Sequence, residues 1–220
     1  LIERRKINME FFDSIVLDEA DRMLDMGFID DMRSILGAMP KTKQGLFFSA
    51  TFSPEIKRLC SDFLENPVTV SVKARDTASS VMQDVVRVTT DSEKVEALHE
   101  ILIKPEYSKV LIFREMKRHV DGLAEELNKR GFKALALHGD MHNRERERAV
   151  KALEAGKVQV VIATDVAARG LDISDISLVI NYDIPNNYET YIHRIGRTGR
   201  AKKLGHAITF VPKVKEGRRY

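Results

Sequence analysis

The chain has 220 residues, 43% hydrophobic and 31% charged, which is enough for one or two domains with hydrophobic cores. Its net charge of +3 divides into −3 for residues 1–70 and +6 for residues 71–220, so the second part is the better candidate for contact with a polyanion. A single cysteine excludes a disulfide framework within the chain, and no apolar run approaches the roughly 20 residues of a membrane span, so we expect a cytoplasmic protein without a membrane partner.

The first part of the chain alternates short apolar runs with helical patterns. The predicted elements are a strand at 15–17, a helix at 29–36, a strand at 45–48, a helix at 54–64 and a strand at 68–72. Between residues 73 and 81 the apolar periodicity lapses into small and polar residues. This composition predicts an interdomain linker, with a domain boundary near residue 75.

The second part shows a longer series of the same kind. Strands are predicted at 85–88, 109–113, 133–137, 159–164, 178–182 and 207–211, and helices at 93–103, 117–130, 144–154 and 188–195. Apolar strands that alternate with helices of about 10 to 15 residues indicate parallel sheets covered by helices on both faces. The predicted fold class is therefore α/β, with a first unit that looks truncated and a second that looks complete.

Two carboxylates follow the first predicted strand. Asp18 and Glu19 come directly after the apolar run at 14–17. Since the ligand crevice of an open parallel sheet lies outside the carboxyl ends of its strands, both side chains are expected at that crevice. Asp18 and Glu19 could hold Mg²⁺, mostly through water, and Glu19 could orient or deprotonate an attacking water. For Asp-Glu alone, a solvated turn is the commoner explanation.

Two arginines near the C-terminus have the spacing of a shared face. Arg197 and Arg200 are three residues apart, and on a helical turn they would point the same way. Gly196 and Gly199 leave out side-chain bulk where a backbone comes close to a ligand. A basic run that only coats RNA phosphate is the alternative interpretation.

Four tracts stand in a characteristic order along the chain. They are Val-Leu-Asp-Glu-Ala-Asp-Arg-Met-Leu at 16–24, Ser-Ala-Thr at 49–51, Ala-Thr-Asp-Val-Ala-Ala-Arg-Gly-Leu-Asp at 163–172 and His-Arg-Ile-Gly-Arg-Thr-Gly-Arg at 193–200. In this order they resemble motifs II, III, V and VI of the DEAD-box RNA helicases. The tract at 47–53 and the linker at 76–80 look most like the bacterial RhlE-type members of that family.

The resemblance implies two RecA-like domains that bind ATP, Mg²⁺ and RNA in the cleft between them. Residues 1–74 would be the C-terminal part of the helicase ATP-binding domain, and residues 75–220 the helicase C-terminal domain. The phosphate-binding loop of the family would then lie upstream of Leu1, so the chain would be a fragment. We expect a monomer, with accessory protein partners left open.

The resemblance also implies roles for individual residues. Catalytic roles fall to Asp18 and Glu19, and to Arg197 and Arg200 as finger arginines that reach the γ-phosphate. Coupling between the ATP and RNA sites falls to Asp21, Ser49, Thr51 and His193. Binding of the ATP ribose falls to Gly170 and Asp172. Without the resemblance, Ser49 and Thr51 are ordinary caps before Pro54, and His193 is an ordinary histidine.

RNA contacts are expected at the loops and helix starts of the second domain. The candidates are Gly139, Asn143, Arg146 and Thr164, with Asn143 capping a helix that begins at Arg144 and Arg146 meeting phosphate. Asn143 is shorter than the Gln that the family usually has there. The sequence has no aromatic stacking platform, so we expect sequence-independent contacts to the RNA backbone.

Three functions remain open on the sequence. The first is an ATP-dependent RNA helicase that couples hydrolysis to domain closure and local duplex unwinding. The second is an RNA-binding or partner-binding module without turnover. The third is a related DNA helicase or translocase, against which the Asp-Glu-Ala-Asp and Ser-Ala-Thr tracts argue.

The chain on its own is expected to show negligible ATPase activity. Its 220 residues contain no G-x-x-x-x-G-K-[ST] loop, whose backbone N–H groups and lysine would hold the phosphates of ATP. The measurement is phosphate release by the purified chain with and without RNA. Hydrolysis stimulated by RNA would contradict this prediction.

Overall fold

The computed structural model describes residues 2, 4, 6–71, 80–168, 176–199 and 204–213. The contacts within the chain divide it into two compact units, unit 1 (Leu1–Val72) and unit 2 (Lys73–Tyr220). None of the helices in the described ranges has the length and apolar character that crossing a membrane requires.

Unit 1 is built on a two-stranded parallel sheet. Its elements are a 3₁₀ turn at Met9–Phe11, β1 (Ser14–Leu17), α1 (Ala20–Asp25), α2 (Ile29–Gly37), β2 (Gln44–Phe47) and α3 (Pro54–Phe63). In the parallel pair, Leu17 lies opposite Phe47. The buried core joins the sheet to the helices and consists of Leu17, Ala20, Met32, Leu36, Ile56 and Leu59.

The other face of this sheet carries an exposed apolar pair. Val16 and Leu46 are opposite each other in the β1–β2 register, and 57% and 43% of their surfaces are exposed. Because successive side chains of a strand point to opposite faces, this pair lies away from the core that contains Leu17. One face of the unit 1 sheet is therefore packed and the other is open.

Unit 2 contains a six-stranded sheet in which every pairing is parallel. Its elements are β3 (Val81–Val88), α4 (Asp91–Leu102), β4 (Val110–Phe113), α5 (Lys117–Lys129), β5 (Ala134–Leu137), α6 (Asn143–Glu154), β6 (Val160–Ala163), α7 (Asp165–Ala168), β7 (Leu178–Asn181), α8 (Tyr188–Ile195) and β8 (Gly205–Pro212). The strand order is β3-β8-β7-β4-β6-β5.

Helices cover both faces of this sheet. On β4, Val110 and Ile112 join one core with residues of α4 and α5, whereas Leu111 and Phe113 join a second core with residues of α6, α7 and α8. All four β4 residues are buried, as expected for a central strand between two helical layers. The predicted α/β class with parallel sheets is confirmed, and helices cover both faces in unit 2 but one face in unit 1.

Two predicted strands differ from the structure. The strand at 68–72 is wrong for its described part, because residues 68–71 form no strand and Val68 and Val70 are exposed. Asn66 there has a left-handed φ of 47°, and Pro67 has no N–H to give to a strand pair. β3 begins at Val81 rather than at residue 85, because its full length pairs with β8.

Candidate active site

The carboxyl ends of β1 and β2 are tied together by their backbones. The N–H of Phe48 donates to the carbonyl of Leu17 at 2.7 Å, and the N–H of Ala20 donates to the carbonyl of Phe48 at 3.0 Å. Asp18 lies between these two links and is exposed, with one carboxylate oxygen accepting the N–H of Glu19 at 2.9 Å. The structure thus places Asp18 at the strand end where the sequence predicted it.

Glu19 adopts a backbone conformation that side chains avoid. Its φ of 51° and ψ of 45° lie in the left-handed region, and it is the residue before α1. A non-glycine residue in that region costs about 1–3 kcal/mol, and such strain persists where the surrounding structure imposes it. The constraint is visible on the next residue, because Ala20 is fully buried and its N–H is bound to Phe48.

Asp21 is a buried carboxylate with several donors. Its side chain accepts the backbone N–H of Thr51 at 2.8 Å, the hydroxyl of Thr51 at 3.0 Å and the N–H of Arg22 at 2.9 Å. Burial opposes ionisation of Asp21, but hydrogen bonds, above all from Thr51, outweigh it and hold the pKa below its ordinary value. Asp21 is thus an ionised acceptor that joins the start of α1 to the segment after β2.

The segment after β2 is shaped by its own side chains. The hydroxyl of Ser49 donates to the carbonyl of Thr51 at 2.7 Å, so these two residues form a local turn. The cap of α3 is Ser53, whose hydroxyl accepts the N–H of Ile56 at 3.3 Å. Ser49 and Thr51 are therefore not the caps of α3, and Thr51 instead faces Asp21.

The Asp21–Thr51 contact predicts a pH-dependent stability of unit 1. Because the pKa of Asp21 is lowered by folding, its ionised form stabilises the unit above about pH 4, and this contribution is lost as the pH falls through the lowered pKa. Thr51→Val removes the hydroxyl donor and should lower the free energy of unfolding by about 1.5–3 kcal/mol at pH 7, with a smaller loss at pH 3. Urea titration followed by circular dichroism measures both values.

The matched control for this prediction is Thr69→Val. Thr69 is exposed and lies in the non-strand segment of the same unit. Its replacement should change the free energy of unfolding by less than about 0.5 kcal/mol at either pH. An equal loss for Thr51→Val at pH 7 and pH 3 would show that the hydroxyl does not act through the Asp21 carboxylate.

The turn after α8 carries Arg197. The helix ends at Ile195, and the backbone N–H groups of Arg197 and Thr198 donate to the carbonyls of Arg194 and Ile195 at 3.1 Å each. Arg197 is thus in a turn rather than in the predicted helical face, because the helix has already ended. Arg200, its predicted partner, lies outside the described residues.

Glycines pack this turn tightly against the sheet. Gly199 has a left-handed φ of 69°, and a Cβ placed on it would stand 2.9 Å from Cγ2 of Val81 and 3.0 Å from the carbonyl oxygen of Ser80. A Cβ on Gly205 would overlap the Thr198 side chain at 2.7 Å. The close approach expected at Gly199 is therefore to the unit's own strands β3 and β8.

Arg194, to which the sequence assigned no role, is buried and 3% exposed. Its guanidinium donates to both carboxylate oxygens of Asp165 at 2.7 and 2.8 Å. It also donates to the side-chain oxygen of Asn181 at 3.3 Å and to the carbonyl of Asp183 at 2.8 Å. Its Cζ lies 5.1 Å from the centre of the Phe113 ring. Its sequence signal was its place in the tract at 193–200, which does not show its partners because they are distant along the chain.

The coupling candidate His193 lies on the same helix. Its Nε2 is 3.7 Å from Oε1 of Glu189, one turn earlier. This contact is within unit 2 and leaves the proposed coupling role of His193 as a prediction.

Three of the RNA-contact candidates lie at the carboxyl ends of β5 and β6. Gly139 is exposed two residues after β5. Thr164 is buried after β6, where its N–H donates to the carbonyl of Leu137 at 3.1 Å. Arg146 donates from Nη2 to the carbonyl of Ala167 at 2.9 Å, so its side chain is held against α7. The carboxyl ends of β5 and β6 thus bring Gly139, Arg146 and Thr164 to the same end of the sheet.

Asn143 is not the helix cap that the sequence suggested. α6 begins at Asn143 itself, and the residue before it, His142, is the N-cap. The backbone N–H of His142 donates to the Glu145 carboxylate at 2.9 Å, and this contact fixes the start of the helix. Asn143 is exposed in the first turn. The ribose candidates Gly170 and Asp172 lie outside the described residues.

The residues after β1 suit a magnesium ion that keeps most of its waters. No group of three or more His, Cys, Asp or Glu side chains in the described ranges could hold a metal ion by itself. Asp18 and Glu19 supply carboxylate oxygens, which are the donors that Mg²⁺ prefers, and Mg²⁺ commonly binds through one or two carboxylates together with substrate phosphates. The donor set therefore fits a metal shared with a nucleotide.

Two sequence families match the chain in the order that the motifs indicated. The family described as "DEAD/DEAH box helicase" matches residues 1–59, and the family described as "Helicase conserved C-terminal domain" matches residues 93–202. The second match covers half of the chain.

Curated relatives match almost the whole chain but extend well beyond it. The DEAD-box ATP-dependent RNA helicase CshA of Bacillus subtilis is 44% identical over 210 residues, which are 96% of this chain and 42% of the relative. The DEAD-box ATP-dependent RNA helicase 40 of Oryza sativa is 46% identical over 213 residues, which are 96% of this chain and 27% of the relative. The chain thus spans less than half the length of these relatives.

Solved structures show the same likeness. The Saccharomyces cerevisiae protein Dbp5 bound to RNA and ADP BeF3 has a TM-score of 0.83 and 32% identity, over 97% of this chain and 57% of that one. A DEAD box protein from Methanococcus jannaschii has a TM-score of 0.58 and 40% identity, over 96% of this chain and 57% of that one.

These similarities agree with the four motifs and with the parallel sheets. The RhlE-type subgroup stays a prediction, since the bacterial relative above carries the name CshA. The chain belongs to the DEAD-box ATP-dependent RNA helicase family.

Proposed function

We propose that the chain acts in an ATP-dependent RNA helicase, where ATP hydrolysis is coupled to closure of two RecA-like domains and to local unwinding of an RNA duplex. The observation that carries this proposal is the segment from Asp18 to Asp21. It combines an exposed carboxylate at a strand end, a strained Glu19 and a buried Asp21 bound to Thr51. The residues proposed for catalysis, Asp18 and Glu19, thus lie within three positions of Asp21, which is proposed to couple the two sites.

In this proposal, unit 1 provides the groups for the attacking water. Mg²⁺ would neutralise charge on the ATP phosphates, with Asp18 and Glu19 holding it mostly through water. Glu19 would orient the attacking water and accept its proton. Its left-handed backbone is support for this role, because strained residues concentrate at sites that need a fixed geometry.

Unit 2 would supply positively charged side chains that stabilise the negative charge of the departing phosphates. Arg197 and Arg200 are proposed as finger residues, and Gly170 and Asp172 as the ribose contacts. The support for Arg197 is its place in a turn fixed by backbone hydrogen bonds and by close glycine packing. A turn held in this way presents a side chain with little loss of conformational entropy.

Four residues would connect the ATP and RNA sites. Asp21, Ser49 and Thr51 already form one hydrogen-bonded group, and His193 is proposed as the contribution of the second domain to it. Such residues orient their neighbours and do no bond chemistry. Closure of the domains around both ligands would then assemble the site, and hydrolysis would reopen it.

The domain assignment is part of the proposal. Residues 1–74 would belong to the ATP-binding domain and residues 75–220 would form the helicase C-terminal domain. The exposed pair Val16 and Leu46 supports a larger first domain, because a parallel sheet is normally covered on both faces. We further propose a monomeric protein that works in the cytoplasm.

RNA binding is expected to be insensitive to sequence and sensitive to salt. Gly139, Asn143 and Thr164 would contact phosphate and ribose without charge, whereas Arg146 and other cations of the basic second unit would release counterions. If about two to three phosphates are neutralised, affinity for single-stranded RNA should fall about tenfold between 50 and 200 mM salt. Arg146→Ala should weaken binding equally for different sequences and reduce the salt slope by about one. Fluorescence anisotropy with labelled RNA of two unrelated sequences measures both effects.

The control for Arg146 is Arg144→Ala. Arg144 is exposed on the first turn of the same helix and carries the same charge. Its loss should change affinity less than the loss of Arg146, whose side chain is held beside α7. Equal effects of the two variants would indicate a diffuse basic surface in place of a defined contact.

The test of the proposed function is RNA-stimulated ATP hydrolysis and duplex unwinding by the full-length parent protein. The proposal expects both activities, each dependent on ATP and Mg²⁺. The alternative, a binding module without turnover, expects RNA affinity that is unchanged by nucleotide and no phosphate release. Unwinding of DNA but not of RNA would favour a DNA helicase.

A further inference from the structure

An ion pair between a partly buried aspartate and a buried arginine joins the segment after β6 to the helix that precedes the finger turn. Asp165 is the first residue of α7, directly after Thr164, and Arg194 is on the last turn of α8. The pair is bidentate, with distances of 2.7 and 2.8 Å, and the side chain of Arg194 is almost completely buried. Side chains 29 residues apart in the sequence are thereby held in one geometry.

The same guanidinium also reaches the carboxyl ends of two central strands. It donates to Asn181 at the end of β7 and to the carbonyl of Asp183 beyond it, and it lies over the ring of Phe113 at the end of β4. In turn, the N–H of Arg197 donates to the carbonyl of Arg194. The turn that holds Arg197 therefore begins at the residue that contacts the ends of β4 and β7 and the start of α7.

Asp183 extends this set of contacts to the loop between β4 and α5. Its carboxylate accepts from Nε of Arg114 at 3.1 Å and from the N–H of Glu115 at 2.9 Å. Burial would raise the pKa of Asp183, but these hydrogen bonds and the charges of Arg114 and Lys94 lower it below its ordinary value. A continuous path of polar contacts thus runs from Asp165 through Arg194 and Asp183 to Glu115.

Burial of such charges is a poor way to gain stability. Arg194 is removed from water and Asp165 in large part, with 26% of its side chain exposed. The cost of such desolvation often equals or exceeds the mutual attraction of the ions, and an apolar pair of similar size is frequently as stable or more so. A bidentate pair does fix the relative orientation of its two side chains, because the planar guanidinium donates two parallel hydrogen bonds to a carboxylate in only one arrangement. The geometry is therefore better explained by positioning than by stability.

We propose that Asp165 and Arg194 are positioning residues that fix the turn of Arg197 relative to the strand ends where RNA contacts are expected. This inference rests on the proposed function, since it assigns the pair a task in placing the finger arginine. Neither residue would touch the reacting atoms. Their effect would be on the rate of the chemical step through the geometry of Arg197.

The first test compares three variants of the full-length parent protein. Asp165→Asn and Arg194→Lys keep the size of the side chain but lose the charged bidentate pair, and each should lower kcat of RNA-stimulated ATP hydrolysis about 10- to 100-fold. KM for ATP should stay within about twofold, because the ground-state contacts of the nucleotide remain. The double variant Asp165→Leu with Arg194→Met should recover thermal stability while kcat stays low.

The control is Arg130→Met, which removes an arginine paired with Glu96 and Glu126 at the far end of α5. It should leave kcat within twofold. Recovery of kcat together with stability in the double variant, or full kcat in both single variants, would overturn the inference. If the unaltered parent hydrolyses no ATP, the proposed function fails, and the inference is decided by the second test.

The second test needs only the 220-residue chain and reads local geometry. Asp165→Asn should speed amide hydrogen exchange at least tenfold at Arg197, which is bound to Arg194, and at Glu115, which is bound to Asp183. The same is expected at Thr198, whose N–H is bound to Ile195, the residue after Arg194. Exchange at Gly131 and Phe132, at the end of α5, should not change. Unchanged exchange at all three reporter amides would overturn the inference, as would equal acceleration at the control amides, which marks general destabilisation.

Discussion

Replacing Glu19 by Gln is expected to lower RNA-stimulated ATP hydrolysis by the full-length parent protein about 10²- to 10⁴-fold while ATP and RNA binding are retained. Gln keeps the length and shape of the side chain but cannot accept a proton from the attacking water. Because Glu19 sits in the left-handed region next to the fully buried Ala20, the amide should occupy the same place as the carboxylate. Only the chemistry then differs between the two proteins.

The measurement pairs a steady-state phosphate-release assay with equilibrium binding of labelled ATP analogue and RNA. Glu65→Gln is the matched control, since Glu65 is exposed after α3 in the same unit and should leave turnover within twofold. A parallel loss of binding and turnover in Glu19→Gln would identify Glu19 as a structural residue. A fully active Glu19→Gln protein would remove it from the reaction altogether.

Replacing Arg197 by Ala should have a comparable or larger effect on turnover. An arginine that meets the developing charge on the γ-phosphate contributes about 10³- to 10⁵-fold to the rate in related nucleotide hydrolases. Arg197→Lys should recover only a small part of that loss, because an ammonium group lacks the planar fork of the guanidinium. The turn itself should survive, since its backbone hydrogen bonds to Arg194 and Ile195 do not involve the side chain.

The readout is kcat at saturating RNA, together with RNA affinity at fixed nucleotide concentration. Arg118→Ala serves as the control, since Arg118 is exposed on the first turn of α5 and carries the same charge. If Arg197→Ala weakens RNA binding and leaves kcat at saturating RNA unchanged, the arginine coats RNA phosphate as in the alternative interpretation. A fall in kcat alone supports the finger.

Local patterns predicted much of the fold. The all-apolar strands β4 and β6, and β7 with Asn181 as its one polar residue, predicted a sheet that is buried on both faces, and that expectation is confirmed. The sequence pattern did not predict the start of β3, because Met82, Gln83 and Asp84 on this edge strand show no alternation of apolar and polar residues. They nevertheless pair with β8. Edge positions carry weak patterns since one of their sides meets solvent.

Motifs placed the candidate site better than they explained its construction. Asp18 and Asp21 were found from their tract, but the left-handed backbone of Glu19 depends on the hydrogen bond from the N–H of Ala20 to the carbonyl of Phe48, the residue after β2, which no local rule gives. Arg194 was overlooked for a similar reason. Its partner Asp165 is 29 residues away, and a pairing at that distance follows from sheet topology and not from helical periodicity.

The packing of Gly199 against β3 and of Gly205 against Thr198 has a consequence for mutational maps of this protein. In a library of random variants, Gly199 and Gly205 should tolerate substitution as poorly as Arg197. Neither glycine contacts a ligand in the proposed mechanism. Loss of function there would report a displaced turn. A map of intolerant positions would consequently include the glycines that hold the turn as well as Arg197 itself. Separate measurements of binding and turnover would be needed to distinguish the two groups.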